Sequence, residues 1–278
     1  MPSVWKLCEY LQRVSVLSMV WLGGVWMNTV DGPLVSVVIP TVSGREELLK
    51  RAVSSVHNQT YKNIELIVVN EGLSATRQRN IGISRSCGEL VAFLDDDDEW
   101  LPEKLCLQMQ TLQENKDAVC CISYMDDRRF EGRLSCPPCR TRHIDLLKGH
   151  NISNTSCFLV PRSILDCIRM GNDGFFDESL PAGHETDLAL RLSRWGDIVC
   201  TPEVLAIQHR SNSQISGCWD KKIRGQFAFI RKWSMEMTMF QVVKRVCLMM
   251  LFFGGYVFGS RVMTPINFLK DRREHGRV

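Results

Sequence analysis

The 278-residue sequence lacks several features that would assign it to a functional class at once. Its formal net charge of +3 is too small to indicate a nucleic-acid-binding protein. It has no internal repeat and no low-complexity tract, which argues against a solenoid and against a disordered chain. The stretch Thr41–Arg45 does not supply the glycine-rich, basic phosphate loop that a nucleotidyltransferase would ordinarily carry. The length suffices for one domain with a large buried core and some appendages.

The sequence also has no apolar run of comfortable membrane-spanning length. Residues 14–30 are interrupted by polar side chains and are marginal for a span of about 20 residues. In a bacterial cell, the basic residues before this stretch would place the rest of the chain outside, whereas a Golgi-type anchor stays open. Residues 246–259 are shorter still, which favours an interfacial helix or a core helix. We therefore expect a cytoplasmic protein, with peripheral contact at the cytoplasmic face of the membrane through residues 246–259 as an open alternative.

The twelve cysteines do not form a recognisable disulfide or zinc framework. Most lie in apolar or helical contexts such as Cys120–Cys121, where a thiol acts as a small hydrophobe, and a reducing compartment is the simplest account. The exception is Cys136-Pro137-Pro138-Cys139, with His143 four residues on. One Cys-x-x-Cys is half of a zinc site or a redox pair, and without a second pair we prefer a loop with free thiols.

Alternating strand and helix patterns fill the region from Val35 to Leu94. Residues 35–40 and 64–69 are short apolar runs typical of buried parallel strands, and residues 90–94 form a third. Helical spacing of apolar residues between them predicts helices over 47–56 and 75–86. Ligands of such sheets bind beyond the carboxyl ends of the strands, which is where Pro40, Glu71 and the residues after Leu94 fall.

The third run ends in an unusually acidic segment, Phe93-Leu94-Asp95-Asp96-Asp97-Asp98-Glu99-Trp100. Because these adjacent carboxylates repel one another, cationic or hydrogen-bonding groups should face them. In an extended segment Asp95 and Asp97 point the same way and can converge on one hard cation, which would keep water or phosphate oxygens in its other positions. The alternative is a solvated acidic turn before a helix.

Several segments, in this order, resemble glycosyltransferase family 2, whose members have the nucleotide-sugar-binding GT-A fold. The resemblance covers roughly residues 34–216 and rests on Val35-Ser36-Val37-Val38-Ile39-Pro40-Thr41, on residues 52–65 (AVSSVHNQTYKNIE), on Gln78-Arg79-Asn80-Ile81-Gly82-Ile83 and on residues 88–102 (GELVAFLDDDDEWLP). It implies an α/β fold with a mixed, mainly parallel sheet and helices on both faces.

For the donor site, the resemblance implies that Asp95 and Asp97 hold Mn²⁺ or Mg²⁺ against the diphosphate of a nucleoside diphosphate sugar. Asp96 would lie close to the donor sugar or ribose. His209 begins a segment that resembles the family's terminal His-x-x-x-Ser and would add a metal or diphosphate contact. A histidine that is merely hydrogen-bonded is the alternative.

The resemblance further implies that an acid after the second strand reads the nucleotide base. This chain has Asn70-Glu71-Gly72 where the family usually has Asp-Asp-Gly, so Glu71 is the predicted base contact. Pro40 and Arg79 complete the predicted nucleotide site. For Arg79, a surface or ion-pair role is an equal alternative.

On the acceptor side, Phe175–Leu180 and Gly183–Leu192 resemble the segment in which a Gly-Glu-Asp-x-Asp pattern introduces a helix with the catalytic base. His184 takes the place of the Glu, Glu185 that of the first Asp and Asp187 that of the second. Inversion requires one carboxylate to take the acceptor hydroxyl's proton. We assign this role to Glu185, with Asp187 as the alternative and His184 as an orienting group.

These features predict a metal-dependent, inverting glycosyltransferase whose acceptor is a polysaccharide, a lipid-linked glycan or a protein glycan, and which does not bind nucleic acid. The expected parts are an apolar extension (1–33), a GT-A domain (34–216) and a helical region (217–278) for which membrane association is an open alternative. A nucleotidyltransferase and an inactive sugar-nucleotide-binding protein are the alternatives. The altered positions at Asn70-Glu71 and His184-Glu185 are the reason to consider an inactive protein.

Overall fold

The computed structural model describes residues 21–22, 25–26, 32–171, 174–210 and 219–258. The strands are β1 (Trp21–Leu22), β2 (Val25–Trp26), β3 (Val35–Pro40), β4 (Ile64–Val69), β5 (Leu90–Phe93), β6 (Asp98–Trp100), β7 (Ala118–Asp127), β8 (Leu134–Ser135), β9 (Arg140–Thr141), β10 (Leu159–Pro161) and β11 (Asp197–Gln208). The helices are α1 (Glu46–His57), α2 (Ala75–Arg85), α3 (Lys104–Glu114), α4 (His143–Leu147), α5 (Arg162–Ile168), α6 (His184–Leu192), α7 (Trp219–Trp233) and α8 (Met239–Phe258). Short 3₁₀ turns lie at Thr155–Cys157 and Ser234–Glu236.

Within the described ranges, one mixed sheet runs in the order β4-β3-β5-β10-β7-β11-β6, with β8 paired to β7 and β9 to β11. The long pairings, β3 with β4 and β7 with β11, are parallel, as is β3 with β5. The short pairings of β10, β6, β8 and β9 are antiparallel. The sheet confirms the predicted fold class, and β3, β4 and β5 match the predicted runs to within one residue. The prediction that residues 64–69 are a buried strand is wrong, because β4 lies at the edge of the sheet and is buried only at Val69.

The predicted helices between these strands are also confirmed, with ends shifted by one residue. Strand β3 is buried along its whole length, as expected for a central parallel strand. Helix α2 packs closely on β3 at Gly82. A Cβ built on this glycine would lie 2.3 Å from Cγ1 of Val38, so a larger residue does not fit there without a shift. Ser74 caps the start of α2 by accepting a hydrogen bond from the Arg77 N–H at 3.3 Å.

The chain divides into two compact units, residues 1–177 with 188–210, and residues 178–187 with 211–278. The first contains the whole sheet, and the second contains α7, α8 and the first residues of α6. The predicted domain boundaries after residues 33 and 216 stay a prediction.

Two stretches bear on the membrane question. Most of residues 14–30 lies outside the described part of the chain. The described residues of this stretch are β1 and β2, which pair as a short antiparallel ladder. The stretch from residue 246 belongs to α8 as far as Phe258. No helix of the described ranges is both long and apolar enough to cross a bilayer.

Candidate active site

The acidic segment forms a buried turn at the carboxyl end of β5. The turn is closed by the Asp98 N–H, which donates to the Asp95 carbonyl at 3.0 Å, and the short strand β6 follows it directly. Asp96, Asp97 and Asp98 are buried. The alternative of a solvated turn before a helix is therefore wrong, since no helix begins here and water is largely excluded from three of the four carboxylates.

Arginines supply the positive charge that the sequence requires at this turn. Nη2 of Arg45, which precedes α1, lies 3.0 Å from Oδ1 of Asp96 and 2.9 Å from Oδ2 of Asp97. These contacts are ionic rather than well-aligned hydrogen bonds. Arg51 of α1 donates to the Asp97 carbonyl at 2.7 Å, and the Thr41 hydroxyl donates to Asp96 at 2.7 Å. Burial raises the pKa of Asp96, while Thr41 and Arg45 counteract this effect.

Arg79 takes the ion-pair role that the sequence left open. Its guanidinium is buried, pairs with Oδ1 of Asp95 and lies 5.6 Å above the ring of Phe176. The next residue, Asn80, accepts hydrogen bonds from the N–H groups of Phe175 and Phe176 at 3.0 and 2.7 Å. Helix α2 is thus joined to the segment at Phe175. A nucleotide contact by Arg79 stays a prediction.

A second hydrogen-bond network, made by Asn154 and Ser156, also holds the acidic turn. The Ser156 hydroxyl donates to Oδ2 of Asp98 at 2.6 Å and accepts from the Asp95 N–H at 3.0 Å. Asn154 donates to the same Asp98 oxygen at 3.0 Å. Burial, followed by the charges of Asp95 and Asp97, raises the pKa of Asp98 well above its usual value. The network makes the position of the acidic turn depend on the 3₁₀ turn that contains Ser156.

The predicted nucleotide residues lie at the ends of the neighbouring strands. Pro40 ends β3, and the Thr41 N–H after it donates to the Val69 carbonyl at the end of β4 at 2.9 Å. Glu71 follows β4, is exposed and pairs with Arg85 of α2 at 2.8 Å. Both residues therefore lie at the edge where the acidic turn lies, and their contact with a nucleotide stays a prediction.

The predicted metal ligands are only partly brought together. Nε2 of His209 is 2.9 Å from Oε2 of Glu99, so the histidine contacts the acidic segment beyond Asp95 and Asp97. Across the residues that the structure describes, no three His, Cys, Asp or Glu side chains form a ready metal cluster. The donor chemistry of Asp95 and Asp97 nevertheless fits Mn²⁺ or Mg²⁺, because both supply hard carboxylate oxygens and diphosphate and water would complete the coordination. Arg79 and Arg45 neutralise these two carboxylates.

The predicted acceptor-side residues begin α6. Gly183 has φ +81°, a left-handed conformation that favours glycine, and its carbonyl accepts the Asp187 N–H at 3.1 Å. Glu185 is half-buried in the first turn. Asp187 is fully buried, and its Oδ1 lies 2.7 Å from Nζ of Lys232 and 3.0 Å from Nε1 of Trp233. The carboxylate of Asp187 therefore joins α6 to the end of α7.

Sequence reasoning did not identify four groups that organise these sites. Arg45, Arg51, Ser156 and Lys232 contact the acidic turn or Asp187, but none belongs to a motif. The only available signal was the need for positive charge near the acidic segment, which does not single out a particular arginine.

Solved structures with the same architecture identify the fold. TarS 1-349 of S. aureus, in complex with UDP-GlcNAc, has a TM-score of 0.54 to this chain at 14% identity, over 70% of this chain and 66% of that one. The mannosyltransferase PcManGT from Pyrobaculum calidifontis, in complex with GDP-Man and Mn²⁺, has a TM-score of 0.51 at 12% identity, over 99% and 87%. The chain has the GT-A fold of these glycosyltransferases.

The family follows from the sequence comparisons. A family model described as Glycosyl transferase family 2 matches residues 36–78 and 70–169. The uncharacterized glycosyltransferase RP339 of Rickettsia prowazekii (strain Madrid E) is 28% identical over 210 residues, which are 64% of this chain and 64% of that protein. The chain thus spans slightly less than two thirds of this relative's length. Over residues 36–169, therefore, the chain matches glycosyl transferase family 2.

Proposed function

We propose that this protein transfers a sugar from a nucleoside diphosphate sugar to a polysaccharide, a lipid-linked glycan or a protein glycan, with inversion at the anomeric carbon. The observation that carries the proposal is the acidic turn, in which Asp95, Asp96 and Asp97 are held by Thr41 and two arginines at the carboxyl ends of parallel strands. This edge is where such sheets bind ligands. The family match and the GT-A fold support the same assignment.

On the donor side, Asp95 and Asp97 would hold Mn²⁺ or Mg²⁺, and His209 would approach the same region through its contact with Glu99. When bound, the cation supplies positive charge that stabilises the departing diphosphate. Asp96 would face the donor sugar or ribose. PcManGT contains Mn²⁺ with its GDP-Man, which supports metal dependence as a proposal for this chain.

Three further residues would bind the nucleotide itself. Glu71 would accept from a base N–H, and Pro40 would line the nucleotide site at the end of β3. A donor diphosphate would compete with Asp95 for Arg79, because guanidinium groups bind phosphates as well as carboxylates.

On the acceptor side, Glu185 would take the proton of the acceptor hydroxyl while that oxygen forms its bond to the anomeric carbon. The bond from this carbon to the diphosphate breaks at the same time, and its electron pair leaves with the nucleoside diphosphate. Asp187 is less suited to this role, because its Oδ1 already faces Lys232 and Trp233 inside the protein.

Donor binding and hydrolysis provide the test. We expect a UDP- or GDP-sugar to raise the unfolding temperature in the presence of Mn²⁺, since a ligand that binds only the folded state stabilises it by mass action. The same sugar should be hydrolysed slowly without acceptor, with release of the nucleoside diphosphate. A nucleotidyltransferase would instead release pyrophosphate from a nucleoside triphosphate, and an inactive binding protein would show binding alone.

Asp97→Ala is the sharpest variant for this assay. Its partner Arg45 is partly exposed and keeps Asp96, so the fold should tolerate the change, whereas Asp95→Ala would leave Arg79 buried opposite the lost carboxylate. We expect Asp97→Ala to lose Mn²⁺-dependent donor binding. Asp166→Ala, at an exposed ion pair on α5, should bind donor normally. Unchanged donor affinity in Asp97→Ala would contradict the proposal.

A further inference from the structure

Helix α8 exposes apolar side chains where a helix of a soluble protein usually carries polar ones. Met239 and Phe240 are 80% and 78% exposed, and Val243, Cys247 and Met250 are also exposed. At 100° per residue, these five side chains share a sector of about 100° on the helix. Met235, in the 3₁₀ turn just before α8, is almost fully exposed and extends the patch. We call these six residues the α8 apolar face.

Two polar residues of α8, Gln241 and Arg245, are turned away from this face. Gln241 is buried because it caps the helix start, where its side chain accepts from the Thr238 N–H at 2.8 Å. The guanidinium of Arg245 lies 4.0 Å above the ring of Phe229 on α7, and burial lowers the pKa of Arg245 to about 10. The helix thus covers an arginine and a glutamine while it exposes methionine and phenylalanine. Such a placement costs free energy in water, so the exposed face fits an apolar environment.

The charges around this face indicate which environment that is. Residues 219–258 contain seven lysines and arginines but only two acids. Arg245 is covered by Phe229, whereas Arg231 and Lys244 are exposed close to the face in sequence, as is the acid Glu236. A second copy of the chain would bring two such basic surfaces together, which costs free energy through like-charge repulsion. An anionic lipid surface instead offers both an apolar layer and negative headgroups.

We propose that the α8 apolar face is a peripheral membrane-binding surface for anionic lipid bilayers. Met235, Met239, Phe240 and Val243 insert at the headgroup boundary, and the nearby basic side chains contact the headgroups. The inference does not rest on the proposed transferase activity, because it follows from the exposure and charge of the C-terminal helices alone. It centres the contact on residues 235–250 rather than on residues 246–259.

Site-resolved thiol labelling of the wild-type chain tests the proposal directly. Cys247 lies within the α8 apolar face, while Cys87 is an exposed thiol on the sheet-containing unit. Vesicles of phosphatidylcholine with about 30% phosphatidylglycerol should bind the protein and slow maleimide labelling of Cys247 but not of Cys87. Pure phosphatidylcholine or high salt should weaken the binding. Equal labelling of Cys247 in free and vesicle-bound protein would overturn the proposal.

A variant with Met239→Ser and Phe240→Ser provides the second test. Because both side chains are largely exposed, the variant should fold normally and unfold at the wild-type temperature. Its partition onto anionic vesicles should fall about tenfold or more, since burial of one large apolar side chain is worth that much. Phe130→Ser, which removes an exposed aromatic ring near β8, should bind vesicles like the wild type.

Two other outcomes would assign the face to a different occupant. If light scattering shows a wild-type dimer that the double variant dissociates, and vesicles do not bind, the face is an interface between copies. If Cys247 reacts slowly without lipid in the monomer, another segment of the chain covers it. Either result refutes the membrane assignment.

Discussion

Replacing Asp187 by asparagine should cost stability and leave the chemistry largely intact. The carboxylate of Asp187 has no exposed surface, and its Oδ1 contacts Nζ of Lys232 at 2.7 Å and Nε1 of Trp233 at 3.0 Å. Asparagine keeps an oxygen that can accept from Trp233. It removes the negative charge opposite Lys232, so the lost interaction is mainly the ion pair.

The structure sets the size of this loss. Breaking a fully buried ion pair costs about 3–5 kcal/mol. The side chain of Lys232 is 27% exposed, so water can solvate part of the remaining ammonium group and reduce the cost. We therefore expect Asp187→Asn to lower the free energy of unfolding by about 2 kcal/mol. The first-turn helix interaction alone would account for about 1 kcal/mol at most.

Urea denaturation measures this loss, and a control variant calibrates it. Asp220→Asn removes an exposed ion pair with Arg224 on α7 and should cost less than about 0.5 kcal/mol. Lys232→Met should cost at least as much as Asp187→Asn, because it withdraws the ammonium group from a carboxylate that has no exposure. The double variant should be less destabilised than the sum of the two single changes.

Acceptor-dependent turnover separates a structural role of Asp187 from a catalytic one. General-base catalysis is worth about 10²- to 10⁴-fold, so Glu185→Gln should lower turnover by that factor and spare donor affinity. Asp187→Asn should keep turnover near the wild-type rate below its unfolding temperature. An inactive Asp187→Asn of wild-type stability, together with an active Glu185→Gln, would refute the reasoning and make Asp187 the base.

Three further predictions concern the first unit. Burial lowers the pKa of Lys104 from 10.5 to about 8, so between these pH values the unfolded chain binds more protons than the folded chain. In urea denaturation from about pH 7 to pH 10, the wild type should therefore gain stability relative to Lys104→Met by up to about 1.4 kcal/mol per pH unit. A stability difference that does not change with pH would contradict this. Cys136 and Cys139 are exposed, so replacing both by serine should change the free energy of unfolding by less than about 0.5 kcal/mol. Zinc that is present in the purified wild type and lost in this variant would instead assign the two thiols to a metal site. Gly82→Ala should cost about 1–3 kcal/mol by thermal unfolding through its clash with Val38, and a neutral result would disprove this close packing.

Local patterns in the sequence determined the framework of this protein. The apolar runs at 35–40, 64–69 and 90–94 predict strands because a strand covered on both faces must be apolar along its length, which describes β3 and most of β5 but not the edge strand β4. The order of strands and helices then places Pro40, Glu71 and the acidic segment at one edge of the sheet. These conclusions need only residues that are close together along the chain.

Tertiary structure alone decided which groups meet. Thr41 and Asp96 are 55 residues apart, and Asp187 and Trp233 are 46 apart, so no local period relates them. The arginines at the acidic turn were equally undetermined, because a required positive charge does not specify which of many cations folds back to supply it. For the same reason, the sequence did not show which side of α8 is exposed. In a mostly apolar helix such as α8, the covered side becomes known only from its packing against α7.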